Sequence, residues 1–449
     1  MKKKFLSFAA FMLSIALTFS ACSNDDDDPQ TETPTDLDYS AENAEAWGNY
    51  MYNVASLLKN DAANLYKYWN EDYKGAGPYA EAFKKHNIGG ETSIKTALNG
   101  IEQIFDKCAE IANEVGSAKI GDPLDKYNSG DKEGALYAVE SWYSWHSRDD
   151  YTNNIWSIRN SYYGTVSAND ANDQNDIQTS SIYKLVEAMD ADMNKKLNDA
   201  IHATAEAIQN IPQPFRNNIN SDEALAAQEA CLSLENILKE VKAAVRAAYE
   251  NTPNDSKLEA ILVQYTDYVV LPTYKSLMEK NAALFEAVKQ FKNSPSNSNF
   301  DAASEAWLVA REPWEKSEGF LFGPVDTEGL DPNMDSWPLD QNMIVSILES
   351  GNFDKMEWDE AWNITKKTMA YTNHTVLSEA LEKWPIQYVQ ELLPRVYMII
   401  EEIDRRFKYA LSHEFGRTDL INECAILKDG QVHMANLAIV GSHSVNGVA

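Results

Sequence analysis

Basic residues and cysteines are both scarce in this chain. Only 39 Lys and Arg stand against 69 Asp and Glu in 449 residues, a formal net charge of −30. A field of that sign repels phosphate backbones, so a nucleic-acid partner is not expected, while cations are weakly concentrated. The 4 cysteines are Cys22, Cys108, Cys231 and Cys424. Scattered so widely, they provide neither a disulfide framework nor a paired-cysteine metal site. There are 7 histidines, and none opens the HExxH pattern that sets two imidazoles and a general base on one helix. After the N-terminus, no apolar run is long enough to span a bilayer.

The one long apolar run reads as an export signal. Lys2, Lys3 and Lys4 precede the apolar stretch Phe5 to Phe19, and Ser20-Ala21-Cys22 supplies the small residues of a cleavage site. A cysteine in that place marks a bacterial lipoprotein, so residues 1–21 are expected to be removed and Cys22 to carry the lipid. Asp25 to Asp28 and the polar "PQTETPTDLD" follow, an acidic, flexible tether over 22–40. An acidic run at this position resembles the sorting signal of surface-exposed lipoproteins. The expectation is a protein anchored in the outer membrane and facing the cell exterior.

From about residue 41 the apolar residues step by threes and fours. Trp47, Met51, Val54, Leu58, Ala62, Leu65 and Trp69 form one such stripe, the mark of an amphipathic helix. Ile182, Val186, Met189, Met193, Leu197, Ile201, Ala205 and Ile208 form another, stopped by Pro212. Ser221-Asp222-Glu223 reads as a cap with acids in the first turn. Leu258 to Phe291 reads as a long helix bent at Pro272. Segments near 93–115, 133–163, 300–322 and 341–350 bring the total to about eight helices, and no period-two strand is expected before residue 420. The predicted class is all-α, with two packed four-helix bundles over 41–352.

Within this region, "SEAWLVAREPWEKSEGFLFGPVDTEGLDPNMDSWPLD" covers residues 304–340. Arg311 and Glu315 fall one turn apart, as do Trp314 and Glu318 if the helix runs on past Pro313. Glu312, just before the proline, is free to face elsewhere. Taken alone, these charges read as a salt-bridge ladder on an exposed helix. Upstream, "YSWHSRDDYTNN" places His146 and Asp149 three apart on one helix side, able to share a cation or to bond each other. Imidazole with carboxylates suits iron or another divalent metal such as zinc.

The stretch from Ala306-Trp307 through Arg311-Glu312-Pro313 to Trp337-Pro338-Leu339-Asp340 resembles one half of the imelysin-like family, bacterial envelope proteins associated with iron uptake. The other family hallmark, Gly-x-His-x-x-Glu, is matched upstream by Ser144 to Asp149, so the two halves stand in permuted order. Ser144 replaces the glycine and Asp149 the glutamate. The resemblance implies a ligand or metal site made from His146, Asp149, Arg311, Glu312, Glu318, Asp326, Trp337 and Asp340. It implies iron acquisition, with an iron-uptake receptor or an iron-carrying ligand as partner. A zinc peptidase is the weaker alternative, and no enzymatic activity is expected.

The text then changes register. "WDEAWNITKKTMAYTNHTVLSEALEKWPIQYVQELLPRVYMIIEEIDRRF" and "GQVHMANLAIVGSHSVNGVA" resemble glycogen (α-glucan) phosphorylase. Thr372-Asn373-His374-Thr375, Glu382-Lys383-Trp384-Pro385, Leu393-Pro394-Arg395 and Ser442 to Val448 carry the resemblance in order and spacing. It implies that His374 and Asn446 contact a glucosyl unit, and that residues 353–449 form a mostly helical fragment of an α/β phosphorylase domain. The family's pyridoxal phosphate is held by a lysine placed beyond this segment. The fragment is therefore expected neither to bind that cofactor nor to catalyse phosphorolysis. Its apolar helix faces are expected to lack their core and its terminal strand to lack a sheet, as in a gene fusion or assembly product.

Overall fold

The computed structural model describes residues 42–89, 93–166 and 174–335 without a break, and after them 337, 344–345, 347–348, 351, 370–373, 381–392, 394–413, 417, 420–442 and 444–447. The export signal, Cys22, the tether, Asp340 and His374 lie outside the described residues. Described residues up to Gly351 form one compact unit, and those after it form a second.

The first unit is all-helical apart from one isolated bridge between Ile88 and Ile94. Helix α1, Ala44–Asn70, buries Trp47, Met51, Val54, Leu58, Ala62, Leu65 and Trp69, the stripe expected from its spacing. It packs with α6, Leu271–Asn293, which packs in turn on α7, Asn297–Glu315. A second group comprises α2, Ala97–Glu114, α3, Ser147–Tyr163, α4, Ala191–Gln209, and α5, Asp222–Tyr249. Side-chain oxygens of Thr96, Asp190, Ser221 and Ser296 accept from the first-turn amides of α2, α4, α5 and α7, satisfying donors that a helix start leaves free. This is the two-bundle pattern. The fourth helix expected near 341–350 falls mostly outside the described residues.

Three local expectations change. The disturbance attributed to Pro272 lies just ahead of it, in a π-helical turn over Thr266–Val270, and Pro272 sits in the first turn of α6. A proline cannot donate to the carbonyl four residues back, and a wider turn accommodates that loss. The segment 133–163 is two helices, Lys132–Ala138 and α3. The irregular stretch between them carries Ser141 and Trp145 at φ of 59° and 66°. Finally, α7 does pass Pro313 but stops at Glu315, so Glu318 belongs to a separate 3₁₀ turn, Glu318–Phe320. Trp314 and Glu318 are not successive positions on one helix.

Among its described residues, the second unit has two strands before residue 420, where none were expected, and three after it. β1, Ala370–Asn373, pairs in parallel with β5, Ser444–Gly447, so the terminal strand does find a partner. β2, Lys383–Pro385, β4, Gln431–His433, and β3, Leu427–Lys428, make a second small sheet in that order. Strands of two to four residues are too short to show a period of two. Helix α8, Pro394–His413, contributes Ile400 and Ile403 to a small core with Ile426 and Val432, flanked by α9, Met434–Val440.

Candidate functional site: a buried ion network around Arg311

Arg311 lies near the C-terminal end of α7, and helical spacing puts Glu315 one turn further on. The approach of α7 to α3, which belongs to the other helix group, adds acids that sequence spacing does not reveal. Arg311 Nε donates to Asp150 Oδ2 at 3.0 Å. Its Nη2 lies 2.7 Å from Glu315 Oε1, 3.2 Å from Asp335 Oδ2 and 3.6 Å from Glu140 Oε1, and donates to Ser141 Oγ at 3.0 Å. Ser141 in turn donates to Asp150 Oδ2 at 2.8 Å, and Trp314 Nε1 donates to Asp335 Oδ2 at 3.0 Å. One guanidinium thus faces four carboxylates.

A second cation completes the network. Between α2 and the short helix Asp122–Ser129 the chain takes a π-helical path over Val115–Gly121, and Lys119 on that segment is buried. Lys119 Nζ lies 3.0 Å from Glu140 Oε2 and donates to Asn154 Oδ1 at 3.3 Å, while Asn154 Nδ2 donates to Glu315 Oε2 at 2.8 Å. Insertions of wide helical turn are often found at functional sites. Gly319 lets the turn carrying Glu318 press on α3, because a Cβ there would fall 2.5 Å from Ser157 Oγ.

Burial sets the protonation of these groups. It raises the Glu140 carboxyl to about 7, assisted by the charge of Asp335 and opposed by Lys119 and Arg311. Burial likewise lifts Glu315 and Glu318 well above the usual range, and takes Asp331 to about 7 with help from Glu114 and Asp335. Burial disfavours charge on Lys119, but Glu140, Glu318, Glu114 and Glu315 outweigh it and hold the ammonium firmly charged. Low dielectric and crowded like charges push acids toward their neutral form. The site therefore holds two fixed cations among acids of which several keep their protons easily.

The residues singled out from sequence scatter around this centre. Glu318 is buried and feels the charges of Lys119 and Glu315. His146 stands just before the first turn of α3 without a side-chain capping bond; its Nδ1 lies 3.5 Å from Asp149 Oδ2, and its ring is 6.3 Å from that of Trp307 on α7. This pair is partly exposed, and Asp149 also accepts from Gln209 of α4 at 3.4 Å. The next residue, Asp150, is the one turned onto Arg311. Glu312 faces away from the network and pairs with Lys280 and Lys316. Asp326 is exposed, and Trp337 Nε1 donates to Ala138 O at 3.2 Å. The ladder reading of Arg311 and Glu315 fails, because both are buried.

Lys119, Glu140, Ser141, Asp150, Asn154 and Asp335 were missed. Asp150 had a local signal in the doubled acid "DD", whereas Glu140 and Lys119 reach the site only through an irregular loop and a π turn. A divalent metal fits these residues poorly. The His146–Asp149 pair supplies two ligands, and the acids that converge elsewhere already surround a guanidinium.

The sequence pattern of the imelysin family matches residues 25–241 and 270–380. The chain belongs to the imelysin family. A solved imelysin-family relative, described as an imelysin peptidase from Bacteroides ovatus, is 55% identical, with a TM-score of 0.68 over 72% of this chain and 90% of that one. The pattern of carbohydrate phosphorylases matches residues 347–449, overlapping the imelysin match. Glycogen phosphorylase of Bacillus subtilis (strain 168) is 59% identical over 97 residues, which are 21% of this chain and 12% of that relative. The human muscle form is 46% identical over 102 residues, 22% of this chain and 12% of its own length. This imelysin-family chain thus spans only 12% of those phosphorylases.

Proposed function

We propose that this imelysin-family chain is a surface-anchored lipoprotein that takes part in iron uptake by binding a ligand where its two helical bundles meet. The observation that carries the reading is the buried ion network itself, whose members come from α7 on one side and from α3 and the Lys119 segment on the other. Charges held out of water from separate segments are costly and weakly stabilising, and perturbed acids gathered in this way favour a binding role over a purely structural one. Iron enters through the family resemblance, and anchoring through Cys22 and the acidic run after it. Peptidase chemistry is not part of the reading, since the chain carries no HExxH.

The test is growth and iron accumulation under iron limitation in cells carrying Glu315→Gln, beside wild-type and deletion strains. The expected result is a defect approaching that of the deletion with normal protein levels. Growth and accumulation equal to wild type would refute the reading. Cys22→Ser should move the protein out of the membrane fraction, because lipid attachment supplies the membrane affinity; retention there would count against lipidation.

The 59% identity to a glycogen phosphorylase favours a second reading, α-glucan phosphorolysis by the C-terminal unit with His374 and Asn446 on the sugar. The aligned stretch is 12% of that relative, and the resemblance puts the pyridoxal-phosphate lysine outside it. Purified chain given glucan, phosphate and pyridoxal phosphate is expected to release no glucose 1-phosphate, and release would establish this reading instead.

A further inference from the structure

One oxygen or another of Glu140, Glu315 and Asp335 comes within 4.8 Å of the next, a spacing that suits a hard divalent cation held by carboxylates. The middle of that triad is filled. Arg311 Nη2 lies 2.7, 3.2 and 3.6 Å from oxygens of Glu315, Asp335 and Glu140, with Ser141 Oγ as a fourth neighbour at 3.0 Å. Metal–oxygen bonds are shorter, roughly 2.0–2.6 Å, so the shell is sized for a nitrogen cation. The guanidinium is also tethered independently of the triad, since Nε is bonded to Asp150. All three acids have a further partner, Glu140 in Lys119, Glu315 in Asn154 and Asp335 in Trp314.

We propose that the Arg311 guanidinium is the resident cation of this triad and keeps free divalent metal out of the native site. This rests on the reading of the network as the ligand site and narrows it: the ligand brings any iron already coordinated by its own donors, and these carboxylates do not bind the bare ion. Removing Arg311 would leave Glu140, Asp150, Glu315 and Asp335 with Lys119 as the nearby counter-charge among the described residues. A buried acid cluster short of positive charge is strongly unfavourable, and a divalent ion at the same point would restore the balance.

The experiment is thermal unfolding of the full chain with and without millimolar Mn²⁺, for wild type, Arg311→Gln and Arg311→Lys. Mn²⁺ should raise the Arg311→Gln transition by at least about 4 °C, as a ligand specific to the folded state does. It should saturate at one ion per chain and lose its effect when Glu315→Gln is added. Wild type and Arg311→Lys, which keep a cation at the centre, should not move. If Arg311→Gln is unfolded without metal, the same account requires Mn²⁺ to restore its folding transition. A wild-type shift that Glu315→Gln abolishes would overturn the proposal, and so would an Arg311→Gln chain that Mn²⁺ neither stabilises nor refolds. Mn²⁺ rescue combined with normal iron-limited growth of the Glu315→Gln strain would leave the cation assignment standing and remove the functional reading alone.

Discussion

Each unit of this protein buries acid, and they satisfy it in opposite ways. In the second, Asp404 is buried and accepts from the backbone N–H groups of Ile426 and Leu427 at 2.7 and 3.1 Å, with Lys408 at 2.6 Å. One carboxylate fastens α8 to the start of a hairpin, and every partner is within 23 residues. In the first, Glu140, Asp150, Glu315 and Asp335 converge on Arg311 from across 195 positions of sequence. Backbone donors play little part there. The first pattern of satisfaction stabilises a local corner. The second needs the whole bundle pair to be in place and gathers acids whose protonation is set by burial and by the cations beside them, which is how a site differs from a staple.

The surroundings differ in the same sense. Trp47, Trp69 and Trp307 are fully buried in the first unit, and Trp69 packs its ring near those of Tyr79, Phe83, Tyr274 and Phe322. The second unit leaves Trp384 and Tyr388 about half exposed around a small core of buried aliphatic residues, Ile400, Ile403, Ile426 and Val432. Buried apolar area sets most of the stability, so the first unit should be much the harder to unfold.

The largest effect should come from the centre of the ion network. Arg311→Ala should cost the first unit about 3–5 kcal/mol, because it strands buried carboxylates without their counter-charge; chemical denaturation measures it, and a loss within error of zero would show that the network is not stressed. Asp404→Ala in the second unit should cost about 1–3 kcal/mol, the penalty for two amides left without an acceptor, and should be visible only in that unit's transition.

pH sharpens the contrast further. Glu140 and Asp331 keep protons in the folded state up to about 7, whereas the unfolded chain releases them at ordinary carboxylate values. Folded molecules therefore hold more protons across this interval, and stability is fullest below the unfolded values and drains away as pH rises toward 7. The surface acids held low by cations, such as Glu81 and Glu312, act only below that window. Melting temperature of the first unit should fall from pH 5 to pH 7.5, and a rise over the same range would contradict the assigned directions. Ending the chain after residue 356 should have the smallest effect, leaving the first unit's transition unchanged.

The legible part of the fold was the part governed by spacing. The α1 stripe from Trp47 to Trp69 reads directly as a buried helix face, and the Ser221 cap reads as a helix start. The Arg311–Glu315 pair was visible too, although its burial was not, because burial depends on which helices pack over it. Lys119 was out of reach, since a π-helical path rotates it away from the face that 3.6-residue spacing assigns. Glu140 was hidden by the non-helical turn at Ser141, β1 by its shortness, and its pairing with the expected terminal strand by a separation of 74 residues. Lys119, Glu140 and Ser141 escaped because their place depends on irregular backbone, whereas Asp150 and Asn154 lie on the regular helix α3 and join the site only through the packing of α7 against it.

The independence of the two units, with the first unit's network as its own structural centre, is tested most directly by scanning calorimetry of the full chain carrying Arg311→Ala or Asp404→Ala. Two heat-absorption peaks are predicted, the larger and hotter one lowered only by Arg311→Ala and the smaller one only by Asp404→Ala. A single peak that both substitutions lower would mean that the units unfold as one body, and would contradict the account.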